Sequence, residues 1–429
     1  MKTKNKIITV LMMLIVFVSS CGSDDDNAPD EILEPNPVEE NEPPEAFNLI
    51  AVSDNEKDVD TRPTFSWEES KDPDGDPVTY DIYIDVKNPP EALYSENISA
   101  VTFEATKSLG LLKDYYWRVE AKDDKGGRAE SATYSFSTRD IRMPNEPITL
   151  NVKSGERAEA STVMFNDKLW VIGGTSLSAK LNDVWYSEDG ENWIEATPNA
   201  QFPARHSHAS VVFDGKIWVI AGSGNGGSLN DVWYSEDGIN WIEATPNAQF
   251  SPMQDHTSVV FDNEIYVING NAGVDGDDKS EVWSSEDGIN WKIKSFLPQR
   301  NNHTSVVFDD KIWIIGGLGD GEFKNDVWQS EDGYNWNQVA TGSLLFDKRV
   351  GLTSVVFDDK MWVIGGRGSG ILFNDVWYSA DGFEWKPIIS FAPSFPGRSD
   401  HMSTVFKEKI WVIGGRDSFQ ALGDVWTID

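Results

Sequence analysis

Four things are scarce in this chain of 429 residues. Cysteine occurs once, as Cys21, so no internal disulfide can form. Basic residues are outnumbered, 36 Lys and Arg against 71 Asp and Glu, and the formal net charge of −35 excludes a nucleic-acid-binding surface. Such a charge favours solubility and repels anionic surfaces, and says little about fold. The one extended apolar run, Ile7–Val18, is too short for an ordinary membrane span. Only five histidines occur, and all lie in look-alike stretches: ARHSHASVVF (204–213), DHTSVVF (255–261), NHTSVVF (302–308) and DHMSTVF (400–406). What is plentiful is glycine, 35 residues, and tryptophan, 18, among many short aromatic runs, which points to an all-β chain of two or three domains.

Lys2, Lys4 and Lys6 precede the apolar run, and Ser19, Ser20 and Cys21 follow it. A basic start, a short apolar core and small residues predict a secretory signal over residues 1–20. The stretch VSSCGSDDD resembles a bacterial lipoprotein signal, which implies cleavage before Cys21 and lipidation of its thiol. An ordinary signal peptide with an incidental cysteine is the alternative. The acidic run Ser23–Asp26 resembles the export signal of surface lipoproteins in Bacteroidota and implies the outer face of the outer membrane. Residues 21–44, rich in Asp, Glu, Asn and Pro, cannot bury enough apolar surface to order themselves and are expected to be a disordered tether.

Period-two alternation over residues 45–140 predicts strands at TFSW (64–67), TYDIYI (79–84), AVTFEA (100–105), YYWRVEA (115–121) and TYSFST (133–138), and so a β-sandwich. Leu109, Tyr115, Trp117, Val119 and Ala121 give this segment a resemblance to fibronectin type III domains. The resemblance implies a corner tyrosine at Tyr115 and a core tryptophan at Trp67. In the loop KDPDGDP, Asp72, Asp74 and Asp76 could bind calcium through alternate carboxylates, although the same residues make a turn without it. Beyond those three aspartates, no metal ligands and no cofactor are expected.

Residues 145–429 are repetitive. A motif ending in glycine recurs (VIGG, VIAG, VING, IIGG, VIGG, VIGG), its last residue at 174, 222, 270, 317, 366 and 415. Leu181–Phe202 and Leu229–Phe250 differ only at Glu191 against Ile239, which marks a duplicated unit. Each unit reads as four short strands, too small a set to stand alone, and six of them predict a six-bladed β-propeller. The double glycine with later tryptophans resembles Kelch repeats. The last repeat stops at DVWTID, so residues 148–152 are expected to supply the missing strand and close the ring. SEDGxNW, recurring from Ser187, Ser235, Ser285 and Ser330, resembles a shortened sialidase Asp-box and reads as a structural hairpin turn.

Each first strand is preceded by Arg and His at a fixed offset. The arginines are Arg157, Arg205, Arg300, Arg349 and Arg398, and the histidines His208, His256, His303 and His401. Arg367 and Arg416 follow the double glycine directly. Propeller geometry would bring all of them to one channel mouth, where arginine forks could take a carboxylate or phosphate. Alternatively each Arg pairs with an acid such as Asp183, Asp231, Glu281, Asp326, Asp375 or Asp424, and each His bonds backbone. The Kelch resemblance includes galactose oxidase, whose Tyr–Cys cross-link the lone Cys21 excludes, and N-acetylneuraminate epimerase, which uses channel residues as acid and base. No assembled acid/base pair is legible in the sequence. The expectation is therefore a non-catalytic lipoprotein facing the cell exterior, held to the membrane by its lipid, binding extracellular glycans or protein partners and no nucleic acid. A sugar-directed enzyme and a structural component of a surface complex are the alternatives.

Overall fold

A computed structural model of the chain describes residues 40–143, 146–149, 154–176, 179–271, 278–388 and 395–429. The expected signal peptide, Cys21, most of the tether and residues 150–152 lie outside the described residues. Among the described residues the regular elements are all strands, and no helix is long and apolar enough to cross a membrane.

The first unit pairs a three-stranded sheet (Leu49–Ala51, Thr64–Trp67, Thr102–Glu104) with a six-stranded one built around Asp114–Lys122 and Thr79–Asp85. Alternation sends Phe65 and Trp67 from one sheet, and Ile82, Trp117 and Phe136 from the other, into a single core. Burying each such side chain contributes about 1.5–3 kcal/mol. The hydroxyl of Tyr115 accepts the amide of Gly110 at 2.9 Å, tying the neighbouring loop to the strand. Strands Glu56–Val59, Leu93–Ile98 and Arg128–Glu130 were not expected from alternation, because they are short, polar and mostly solvent-facing.

The remainder forms five four-stranded antiparallel sheets and one three-stranded sheet. The first sheet runs Ser161–Phe165, Lys168–Ser176, Ala179–Ser187, Trp193–Thr197, and the last runs Met402–Phe406, Lys409–Ile413, Val425–Ile428. The innermost strands adjoin one another in chain order, and Ser161–Phe165 adjoins Met402–Phe406, so the six sheets close a ring. On the outer edge of the last sheet, Val425 donates its amide to Thr149 at 2.9 Å and accepts that of Ile148 at 2.7 Å.

An aromatic ring on a turn glycine seats one sheet against the next at five of the six junctions. The indole of Trp170 covers Gly238 of the following SEDG turn so closely that a Cβ there would meet it at 2.2 Å. Each turn is tied by its own side chains: Asp189 accepts the amides of Glu191 and Asn192, and Ser187 accepts that of Gly190. In the first, second and fourth sheets the second strand runs nine residues, but in the fifth and sixth it stops after five. The chain that would have extended it becomes a loop.

The sandwich sits on the tight-turn face of the ring. Leu111 and Ile141 pack into an apolar cluster with Val355, Trp362 and Ile410. The Leu111 amide donates to Asp358 at 2.8 Å, and Lys113 pairs with Asp359 at 3.1 Å. Asp358 and Asp359 form the turn at the far end of an innermost strand, so the sandwich covers the face opposite the strand starts.

Candidate functional site

The four residues before each innermost strand have four separate tasks, which explains why Arg and His recur there. The first is arginine in five sheets. Arg205 makes a two-pronged pair with Asp231, at 2.8 and 2.7 Å, and a third bond to the Ala221 carbonyl. Arg157 with Asp183, Arg300 with Asp326, Arg349 with Asp375 and Arg398 with Asp424 repeat it. All five arginine side chains are buried. In the third sheet Met253 fills the place, also buried, and Glu281 keeps the bond from the Trp283 indole that the aspartates accept in the other sheets too.

The second residue bridges backbone to the residue after the double glycine, as in Val350 with Arg367 and Ser399 with Arg416. The third residue builds a collar. Glu159, Ser207, Asp255, Asn302, Gly351 and Asp400 all have φ between 50° and 61°. Each donates its amide to the carbonyl of the one before, and Glu159 donates to Asp400, closing a cycle of hydrogen bonds of 2.8–3.1 Å. The backbone of the collar is therefore fully used, and only its side chains are free to vary in chemistry.

The fourth residue is His208, His256, His303 or His401, or else Ala160 or Leu352. The rings lie buried beneath the collar beside a narrow cavity of about 120 Å³. Three bond a hydroxyl of the preceding sheet through Nε2: His208 to Ser161, His303 to Thr257 and His401 to Thr353, at 2.8–2.9 Å. The matching residue for His256 is Ala209, and His256 Nε2 has no hydrogen-bond partner among the described residues. Burial holds all four in the neutral form, His256 at about 4 and His401 at about 3, and His208 and His303 well below the usual value.

These placements correct the expectation of a basic mouth. Arg157, Arg205, Arg300, Arg349 and Arg398 are buried and paired with carboxylates of their own sheets, and His208, His256, His303 and His401 are neutral and buried below the collar. Of the expected cluster, only Arg367 and Arg416 line the mouth itself. In the sandwich loop, Asp72, Asp74 and Asp76 bring carboxylate oxygens within 4.8 Å of one another. Asp72 there accepts the amides of Asp74 and Asp76, and Asp76 pairs with Lys125 at 2.8 Å, which are the contacts of a turn.

The mouth is a cavity of about 620 Å³, set to one side of the collar and walled by the short-strand loops of the fifth and sixth sheets. Its floor carries His206 and four residues that the sequence reading passed over, Glu159, Asp255, Asn302 and Asp400. These four are collar residues, always the third of the four-residue approach. That register, counted along the repeats, was the available signal.

Arg416 bridges Glu159 and Asp400, the latter at 3.2 Å, and His206 Nδ1 lies 2.6 Å from Glu159 Oε2. The two carboxyls move apart in acidity. Burial alone would raise Glu159, but the hydrogen bond to His206 and the charge of Arg416 outweigh it and hold Glu159 low. Burial, reinforced by the charge of Glu159, pushes Asp400 up to about 6. Asp255 is also raised, by burial first, against its hydrogen bond to Ser207. Arg367 is exposed and, among the described residues, makes no ion pair. The mouth can thus hold a carboxylate at Arg367, hydroxyls at its carboxyl and amide groups, and a transferable proton at Asp400.

A solved structure titled "Structure of YjhT" superposes with a TM-score of 0.54 at 18% identity, covering 66% of this chain and 99% of that one. The likeness is one of fold. No curated protein matches the chain. The KLHDC2/KLHL20/DRC7 Kelch-repeats domain matches residues 122–273 and again 255–429. Together these spans take in more than half of the sequence and every sheet of the ring, and the chain belongs to the Kelch-repeat family.

Proposed function

We propose that this chain is a lipid-anchored outer-membrane protein, displayed at the cell surface, whose six-bladed Kelch propeller binds an acidic saccharide at the channel mouth. The observation that carries the reading is Arg367, a guanidinium without an ion pair among the described residues, on the wall of a polar cavity. A free fork of this kind suits a carboxylate, while Gln254, Asn302 and the carboxyls suit ring hydroxyls. Fold alone would not give this, since one scaffold hosts many functions. The lipid anchor rests on Cys21 and its flanks, and residues 45–140 are read as a fibronectin type III-type spacer. Its seat on the face opposite the mouth supports that role.

The test is calorimetric titration of full-length protein in detergent with uronic and sialic acids and with neutral hexoses. Saturable binding of the acidic sugars, lost in Arg367→Ala, is the expected result. Equal binding of neutral sugars, or none at all, overturns it and turns the search to protein ligands. Arg349 and Arg398 are poor targets for this test, because their loss would strip Asp375 and Asp424 of their partners.

A second reading is favoured by one specific observation. Glu159 and Asp400, held on either side of Arg416, have acidities driven in opposite directions, as in a general base and general acid. The site would then move protons on the bound sugar. Product formation followed by NMR, abolished in Asp400→Asn with binding retained, distinguishes an enzyme from a binding module.

A further inference from the structure

Beside the mouth cavity lies a second hollow of about 280 Å³, over Ala158, Thr175 and Ser176 of the first sheet. The two cavities share one wall, Arg416, Asp417 and Ser418. At the outer side of that wall stands Phe419, 93% exposed, the most exposed large apolar side chain among the described residues. The next, Phe296, is 64% exposed.

Single exposed apolar side chains are common and need no function. Phe419 differs in how it is held. Asp417 accepts the amides of Phe419 and Gln420 at 2.7 and 2.8 Å, and the Asp417 amide returns to the Gln420 carbonyl at 3.0 Å. A closed turn therefore presents the ring rather than leaving it to drift. The matching loop of the fifth sheet has Gly370 at this place, so the repeat itself does not require an aromatic. An aromatic face beside a polar hollow lined by hydroxyls suits the C–H face of a sugar ring, with the hydroxyl edge turned to Thr175 and Ser176.

We propose that the two cavities are adjoining subsites, so that the ligand is an oligosaccharide whose second unit crosses the Arg416–Ser418 wall and stacks on Phe419. This rests on the reading of the mouth as an acidic-saccharide site and names the size of its ligand. The mouth cavity takes the acidic unit at Arg367, and the outer hollow takes its neighbour.

The test titrates full-length protein with galacturonic, glucuronic and sialic acids and with their dimers to tetramers. Affinity should rise by about fivefold or more from monomer to dimer, in line with an aromatic contact, and then level off. Phe419→Ala should remove that gain and leave monomer binding and the melting temperature unchanged, while Phe419→Tyr keeps the gain. Monomer binding without a gain in length, or a gain that survives Phe419→Ala, overturns the outer subsite and leaves the mouth reading intact. Absence of binding by monomers and oligomers alike overturns both.

Discussion

Gly351 leaves room that Asp400 occupies: a Cβ built on Gly351 would lie 2.4 Å from Asp400 Oδ1. Gly351 is the one collar residue without a side chain, and its φ is +61°. The other five collar positions accept side chains in the same backbone region, so the collar itself tolerates them. Gly351→Ala should cost about 1 kcal/mol in stability from the left-handed backbone. Its larger effect should be on the site, where it displaces Asp400 from Arg416. The pH dependence of acidic-sugar affinity between pH 5 and 7.5 should change as Asp400 leaves its place beside Arg416, read by calorimetry beside a thermal melt.

The buried pair Arg205–Asp231 should behave as framework. Arg205→Met leaves a carboxylate without its guanidinium in a largely dry place, which costs about 3–5 kcal/mol. Met253 already fills the equivalent position in the third sheet, so methionine itself fits. Adding Asp231→Leu should recover much of the loss. Chemical denaturation of the two variants checks the order, and equal stability of single and double variants would contradict it.

His256 lacks the hydroxyl that Ser161, Thr257 and Thr353 give its counterparts. Ala209→Ser should supply it and raise stability by about 1 kcal/mol, the net value of one hydrogen bond. A melt that falls instead would mean that the added oxygen finds no partner in the ring.

The buried histidines also set a direction for acid stability. His256 has a folded value of about 4, below its usual 6.5, so the unfolded chain binds more protons between those limits. Stability is whole above pH 6.5 and falls as pH drops toward 4. Asp400, raised by burial to about 6, slopes the other way below that pH, and the raised Asp255 acts in the same sense. Comparison with His256→Gln isolates the histidine. The variant should lose about 1.4 kcal/mol per pH unit less across that window, measured as denaturation midpoints from pH 7 to 4.5.

On the proposed reading of the mouth, Asp400 should give ligand binding its own pH dependence. Its carboxyl, at about 6, is neutral below that pH and adds a negative charge to the mouth above it. Affinity for an acidic sugar should therefore fall as pH rises from 5 to 7.5. Asp400→Asn should flatten the profile, whereas a profile unchanged in the variant would assign the titration to another group.

The ring was legible because its instructions are local and repeated. The glycine that ends each motif marks a place where a side chain cannot fit, since a Cβ on Gly222 would meet that of His208 at 2.6 Å. The partners Asp183, Asp231, Asp326, Asp375 and Asp424 were also nameable, because the spacing of 26 residues repeats. What sequence could not show was which of two neighbours faces the channel. Arg398 and Asp400 stand two residues apart, yet the first turns into its own sheet and the second toward the mouth. That choice is made by the collar bonds, which join residues of different sheets and leave no trace in any single repeat. The polar edge strands of the sandwich were hidden for a related reason, since a strand exposed on both faces need not alternate.

The chain crosses from sandwich to ring through Arg142, which exchanges backbone hydrogen bonds with Asp429, and Arg139 holds the Asp429 carbonyl at 2.9 Å. The entry to the ring is thus clamped to its last residue. If the mouth holds a ligand and the N-terminal side is anchored, as proposed, tension between them would run through the docked faces and this clamp before it reached any innermost strand, and the collar bonds, which join the six sheets in a circle, would lie off that path.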